Sequence, residues 1–216
     1  MRKTLKDPLS GLIHCIGIVL SVAGLVLLVE RGLALDSTWL VVSLVIFGVS
    51  LILLYTASTL YHWLPLSERG TMLLRKFDHV MIFLLIAGTY TPICLVALRG
   101  PWGWSLFGCV WVLALLGMGF KIIWFNTYRW LSTAIYIGMG WLAVVAIWPL
   151  VQRVPLAGLG WMLAGGVFYT VGAVIYGRKR PDPWPKVFGF HELFHVFVLL
   201  GSISHFWMIY HYIALL

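Results

Sequence analysis

Two histidines stand four residues apart near the C-terminal end of the chain, in the segment His191-Glu-Leu-Phe-His195. On a helix, side chains with this spacing lie on one face, so both imidazole rings can reach a single metal ion. Neutral imidazole is a common zinc ligand, with Zn–N distances of about 2.0–2.1 Å. The pair therefore indicates a metal site that takes further ligands from elsewhere in the chain.

Two other segments place polar side chains at the ends of apolar stretches. Ser58 and His62 have the same four-residue spacing, and Phe77-Asp78-His79 follows after a short basic segment. Ionisable side chains inside a membrane-spanning helix cost roughly 2.5–3.5 kcal/mol each near the bilayer centre. Because of this cost, a cluster of such residues indicates function.

The composition predicts the elements that position these residues. Of 216 residues, 62% are hydrophobic and only 10% are charged, whereas soluble domains carry about 25% charged residues. A helix of about 20 apolar residues crosses the hydrocarbon core of a membrane. We therefore predict an all-α membrane protein, one seven-helix domain over residues 1–216, with spans at Leu12–Val29, Trp39–His62, Val80–Leu98, Trp102–Ile123, Trp130–Leu150, Leu156–Tyr176 and Phe188–Ala214.

The formal net charge of +8 follows the pattern of membrane topology rather than that of nucleic-acid binding. Lysine and arginine concentrate in short cytoplasmic loops of membrane proteins. If the N-terminus is cytoplasmic, only Arg31, Arg99 and Arg153 lie outside. Twelve cations then lie inside: Arg2, Lys3, Lys6, Arg69, Arg75, Lys76, Lys121, Arg129, Arg178, Lys179, Arg180 and Lys186. We predict a cytoplasmic N-terminus and an external C-terminus.

This topology was assigned without the histidines, yet it brings them to one depth. The end of span two and the starts of spans three and seven all fall on the cytoplasmic side. Three histidines with an open fourth position are typical of catalytic zinc sites. We predict a zinc site with ligands His62, His191 and His195. Asp78 would hold a water molecule or accept its proton, and Ser58 would donate a supporting hydrogen bond.

The other polar residues have competing interpretations. His14, His79 and His211 are expected to form hydrogen bonds between helices. His205 lies about 15 Å along the helix from His195, too far to share an ion, so we expect a structural role. Glu192 completes the pattern His-Glu-x-x-His of zinc proteases, in which the glutamate is the general base.

Together these motifs resemble the progestin and adiponectin receptor family, and specifically its bacterial hemolysin III branch. The matching segments are Ser58-x-x-x-His62, Phe77-Asp78, Gly88-Thr89-Tyr90-Thr91-Pro92, and His191-x-x-x-His195 with His205-Phe206. The resemblance covers essentially the whole chain. It implies a seven-helix fold with a cytoplasmic N-terminus, and zinc held at His62, His191 and His195 beside Asp78 and Ser58.

Relatives in this family are associated with ceramide hydrolysis and membrane lipid homeostasis. The resemblance therefore implies a zinc-dependent hydrolase of lipid amides or esters that enter from the inner leaflet of a bacterial plasma membrane. One alternative is a lipid-sensing protein in which zinc is structural, and another is an intramembrane protease that uses Glu192. Membrane lipids are the expected partners; nucleic acid is not, and the sequence indicates no protein partner.

Overall fold

The predicted apolar segments are helices in the computed structural model, which describes residues 5–125, 128–185 and 187–216. Within these residues seven helical spans are long and apolar enough to cross a membrane, and the described chain contains no strand. Short π-helical turns, Ile93–Ala97 and Ile209–Ile213, extend the third and last spans. The α-helices are α1 (Pro8–Ala34), α2 (Thr38–Trp63), α3 (Glu68–Pro92), α4 (Pro101–Ile123), α5 (Arg129–Gly140), α6 (Ile147–Arg153), α7 (Leu156–Arg178) and α8 (Phe190–Met208).

The third span begins earlier than the prediction placed it. The prediction started this span at Val80 and put Arg69, Arg75 and Lys76 in a loop, but α3 already begins at Glu68. The Ser67 hydroxyl accepts a hydrogen bond from the Gly70 amide and caps the helix, and an acidic first residue favours a helix N-terminus. Asp78 is therefore held within a helix rather than at its entrance.

The fifth span is also not the single continuous helix that was predicted over Trp130–Leu150. It consists of α5 and α6, joined by a 3₁₀ turn at Leu142–Ala146. The Tyr90 hydroxyl lies at the break, where it donates to the Gly140 carbonyl and accepts from the Ala143 amide, both at 2.8 Å. This side chain replaces helical backbone hydrogen bonds, which allows the helix to change its geometry.

One end of the bundle contains the starts of α1, α3, α5 and α8 and the ends of the other spans; we call it the basic end. The Asp7 amide donates to the His62 carbonyl at 2.9 Å, and the Ser10 hydroxyl donates to Glu192 at 2.6 Å. Its described cations are Lys6, Arg69, Arg75, Lys76, Lys121, Arg129, Arg178, Lys179 and Arg180. Arg2, Lys3 and Lys186 lie outside the described residues. The shared end agrees with the predicted topology, whereas its cytoplasmic orientation stays a prediction.

Small side chains let α1 approach its neighbours closely. The buried face of this helix consists of Ser10, Gly11, His14, Gly17, Ser21, Gly24, Leu28 and Gly32. A Cβ atom at Gly17 would stand 2.6 Å from the ring of Tyr55 in α2, and one at Gly24 would stand 3.0 Å from Phe206 in α8. Small residues are typical of helix interfaces in membranes because they permit this close approach. The packing holds the start of α1 against α2 and α8.

We expect Gly17→Ala to destabilise the bundle by about 1–3 kcal/mol, because the added methyl group overpacks the contact with Tyr55. Thermal unfolding of the purified protein in detergent measures the effect. Gly108→Ala on α4 is the matched control, since a Cβ atom there meets nothing within 4 Å. Equal unfolding temperatures for the two variants would contradict the close approach of α1 and α2.

Candidate metal centre

Three imidazole rings converge at the basic end of the bundle. His62 comes from the last turn of α2, whereas His191 and His195 occupy the first two turns of α8. One potential ligand atom from each residue lies within 4.8 Å of the other two. The Nε2 atoms of His62 and His191 are 3.3 Å apart. The centre of the His195 ring lies 4.5 Å from the ring centre of His191 and 4.9 Å from that of His62. The structure thus brings all three predicted ligands to one place.

The arrangement fits a tetrahedral zinc ion. Zn–N bonds of about 2.0–2.1 Å place pairs of ligand nitrogens about 3.3–3.4 Å apart, which matches the separation of the His62 and His191 Nε2 atoms. The Nδ1 atoms of His62 and His195 face an aspartate and a backbone carbonyl. An N–H at Nδ1 leaves the Nε2 lone pair free for a metal. Donor type, spacing and tautomer therefore all suit zinc.

An aspartate near the start of the chain holds the ring of His62. The Asp7 carboxylate lies 3.1 Å from His62 Nδ1 and accepts a hydrogen bond from this nitrogen. A carboxylate behind a ligating histidine fixes the orientation of the ring and raises the basicity of the other nitrogen. Asp7 has the geometry of such a supporting residue.

The first turns of α1 hold the ring of His195 in a different way. The Ser10 carbonyl oxygen lies 3.3 Å from His195 Nδ1, and the ring of His14 stacks on that of His195 with 3.8 Å between ring centres. Neither nitrogen of His14 has a hydrogen-bond partner of ordinary geometry among the described residues. His14 therefore packs against a predicted ligand.

Asp78 and Ser58 line a cavity of about 910 Å³. The Ser58 hydroxyl donates a hydrogen bond to the Asp78 carboxylate. His191 and His195 line the same cavity, while His62 lies outside its lining. The predicted acid–base residue and two predicted ligands thus line one cavity, although their chemical roles stay predictions.

Glu192 does not face this cavity. Its two carboxylate oxygens accept hydrogen bonds from the Ser10 hydroxyl at 2.6 Å and from the Gly189 amide at 2.9 Å, and it is absent from the cavity lining. The nearby Asp182 carboxylate likewise accepts from the Phe190 amide at 2.9 Å. Both acids therefore stabilise the start of α8, and the geometry does not favour the protease interpretation.

The remaining histidines are not part of the three-imidazole cluster, although His79 lies 3.8 Å from the Asp78 carboxylate. The Nδ1 atom of His79 donates to the Arg75 carbonyl of its own helix at 2.8 Å, and His211 packs on Trp207 with 4.1 Å between rings. Neither contact is the predicted hydrogen bond between helices. His205 is buried, stacks on Tyr169 at 5.5 Å and lines the far part of the cavity, which the prediction did not anticipate.

The sequence interpretation overlooked the three residues of α1 and its cap that surround the centre. Asp7, Ser10 and His14 are spaced by three and four residues, which places them on one helical face. This polar face at the end of an apolar segment is the same signal that revealed Ser58 and His62. It was missed because no separate ligand chemistry pointed to it.

A family model described as Haemolysin-III related matches residues 2–206. The chain belongs to the haemolysin-III-related family. A protein named Hemolysin-3 homolog from Bacillus subtilis (strain 168) is 40% identical over 210 residues, which cover 97% of this chain and 95% of that protein. Hemolysin-3 from Bacillus cereus is 39% identical over 216 residues, covering 99% and 94%. These matches confirm the resemblance inferred from the motifs.

The similarity extends to an animal protein. Monocyte to macrophage differentiation factor from Homo sapiens is 23% identical over 207 residues, which cover 93% of this chain and 81% of that protein. This protein is thus similar to a human protein along nearly its whole length. The names of these relatives mention no metal, so the zinc prediction depends on the geometry of the histidines.

We expect the purified wild-type protein to retain about one zinc ion per chain, held by the three imidazoles. His62→Ala should lose most of this metal because two ligands on α8 remain and the third position is empty. Elemental analysis after dialysis measures the content, with His211→Ala as the control. If His62→Ala retains as much zinc as the control, His62 is not a ligand.

We expect Asp7→Asn to weaken zinc binding by about 10- to 100-fold, because the amide no longer supplies a charged partner to His62 Nδ1. Competition with a chelator of known affinity measures the dissociation constant. Asp36→Asn is a matched control at the opposite end of the bundle, where the residue has a φ of 48° that asparagine also adopts. Unchanged affinity in Asp7→Asn would exclude the supporting role.

Proposed function

We propose that this protein is a zinc-dependent hydrolase of lipid amides or esters in a bacterial plasma membrane. The observation that carries the proposal is the shared cavity wall, to which Asp78, Ser58, His191 and His195 all contribute. Such sites combine a mostly apolar pocket with a few convergent polar groups. The basic end faces the cytoplasm in this proposal, in line with its excess of lysine and arginine.

The shape of the cavity suits a long apolar chain. It extends along α3 from Arg75 to Ile93, which is about 27 Å at 1.5 Å per residue. Its volume of about 910 Å³ lies within the usual range for ligand pockets, about 300–1,000 Å³. Most of the wall beyond the histidines is apolar, including Ile82, Leu85 and Met162. An acyl chain would occupy this part while the bond to be broken lies near Asp78.

The far half of the cavity is open toward the side of the bundle. Val144, Ile147, Leu156 and Leu163 line the cavity, and each is also strongly exposed on the helix surface, with Leu156 reaching 82%. These residues belong to the fifth and sixth spans. A substrate chain longer than the cavity would leave it through this gap into the surrounding lipid.

The proposed chemistry assigns one task to each residue. His62, His191 and His195 hold zinc, which when bound polarises a carbonyl group and lowers the pKa of water to about 7. Asp78 takes a proton from the attacking water and delivers it to the leaving nitrogen or oxygen. Ser58 fixes the orientation of the Asp78 carboxylate through their hydrogen bond.

A non-catalytic role for zinc is the second candidate. The three histidines join α2 to α8, and the polar contacts of Asp7 and Ser10 tie α1 to the same place. Zinc at this junction would stabilise the bundle without any turnover, as a lipid-sensing protein requires. The Hemolysin-3 name of the relatives points to lysis, but a compact seven-helix bundle offers no evident means of lysing cells. We propose a role in membrane lipid homeostasis instead.

We expect the purified protein to release fatty acid from lipid amides or esters, and Asp78→Asn to slow this release by about 100-fold or more, because proton transfer is lost. Mass spectrometry of the released fatty acid measures the rate. Glu192→Gln is the control, since its carboxylate caps α8 and should leave turnover within a few-fold of wild type.

His191→Ala and peptide substrates complete the test. Equal product from wild type and His191→Ala would exclude the hydrolase assignment. No turnover by a wild type that holds zinc, together with lower thermal stability of His195→Ala, would favour the structural role. Peptide cleavage that Glu192→Gln abolishes would favour the protease.

A further inference from the structure

Three cationic side chains line the cavity at the basic end, close to the candidate metal centre. They are Arg75 of α3, Lys121 of α4 and Arg129 of α5. Among the described residues that line the cavity, Asp78 is the single carboxylate. Arg75 lies within electrostatic range of Asp78, and Arg129 within range of His191. This part of the cavity wall is therefore electropositive, at the same end as the proposed reaction.

These cations differ from the others at the same end. Arg69, Arg178 and Lys179 are exposed and take no part in the cavity wall. Arg75 and Arg129 are half-buried and Lys121 is 3% exposed. Orientation by positive loops requires cations near the membrane surface but does not require them to face an internal cavity. Membrane topology alone therefore does not explain why Arg75, Lys121 and Arg129 line the cavity.

Aromatic contacts hold the two guanidinium groups in place. Arg129 lies 4.6 Å from the ring centre of Tyr176, and its terminal nitrogen donates to the Tyr176 carbonyl at 3.4 Å. Arg75 lies 5.3 Å from the ring centre of Phe125. A guanidinium stacked on an aromatic ring keeps other N–H groups available for an anion. These contacts constrain the two guanidinium groups in the cavity wall.

The positive charges in this part of the cavity wall favour an anionic ligand. Removing charged groups from water is unfavourable unless an opposite charge compensates them, and the half-buried Arg75 and Arg129 share the cavity wall with one carboxylate, Asp78. Arginine binds phosphate through paired N–H donors, and lysine adds a point charge. A phosphate monoester carries about −1.5 to −2 charges near neutral pH.

We infer that Arg75, Lys121 and Arg129 form a subsite for the phosphate headgroup of a lipid whose acyl chain occupies the cavity. This inference rests on the proposed function and narrows its substrate class. Because Arg75 lies within electrostatic range of Asp78 and Arg129 within range of His191, the phosphate would lie at the same end of the cavity as the amide or ester. Phosphorylated acylglycerols and phosphorylated sphingoid amides have this chemistry.

Binding of ether lipids tests the subsite without turnover, because an ether has no bond for the proposed hydrolase to cleave. The probes are 1-hexadecylglycerol 3-phosphate and uncharged 1-hexadecylglycerol, titrated into the detergent-solubilised full-length protein and quantified by native mass spectrometry. We expect the phosphate lipid to bind wild type at least tenfold more tightly than the uncharged lipid. Equal affinities would overturn the inference, whatever the outcome of the hydrolase assay.

Substitutions of Arg75 and Arg129 test where the phosphate lipid binds. We expect Arg75→Gln and Arg129→Gln each to weaken binding of the phosphate lipid about tenfold and to leave the uncharged lipid unaffected, while Arg75→Lys recovers part of the affinity. Arg69→Gln, on the same helix and with the same change in charge, should bind like wild type. Equal losses in Arg69→Gln and Arg75→Gln would assign the effect to the general charge of the surface and contradict the subsite.

Inorganic phosphate separates a lipid headgroup from a free anion. We expect inorganic phosphate to displace the phosphate lipid only at concentrations at least a hundredfold above the lipid, because it lacks the acyl chain. Displacement at concentrations equal to those of the lipid would show a site for free phosphate and overturn the assignment to a lipid.

Discussion

Neutral imidazole rings packed together in a membrane protein need a partner for each ring nitrogen, because buried polar groups are costly when they are left unpaired. In this bundle the Nδ1 atoms of His62 and His195 are satisfied by Asp7 and by the Ser10 carbonyl. These contacts direct the remaining nitrogens toward a common centre. A cation there would complete the pairing, and the rest of the proposed site depends on this arrangement.

The start of α1 connects the fold to the site. Small residues let this helix pack closely on α2 and α8, and the same helix carries Ser10 and His14 against His195. Helix packing and ligand orientation are thereby coupled, since a shift of α1 would move the partners of two predicted ligands. The site is part of the packing of the bundle rather than an addition to its surface.

The sequence predicted the seven spans and the three converging histidines because both leave local signals. Apolar segments of membrane length are visible in composition, and a four-residue spacing such as that of His191 and His195 identifies one helical face. The break between α5 and α6 was not predictable, since it depends on the Tyr90 hydroxyl, which lies 50 residues away in sequence from Gly140. The stacking of His14 on His195 is likewise a tertiary contact without a local signature.

The central claim is that His62, His191 and His195 bind one zinc ion, and X-ray absorption at the zinc edge tests it most directly. The account predicts a first shell containing three imidazole nitrogens at about 2.0–2.1 Å, with one imidazole fewer in His195→Ala. A first shell of sulfur or of oxygen alone, or a spectrum that is identical in wild type and His195→Ala, would contradict it.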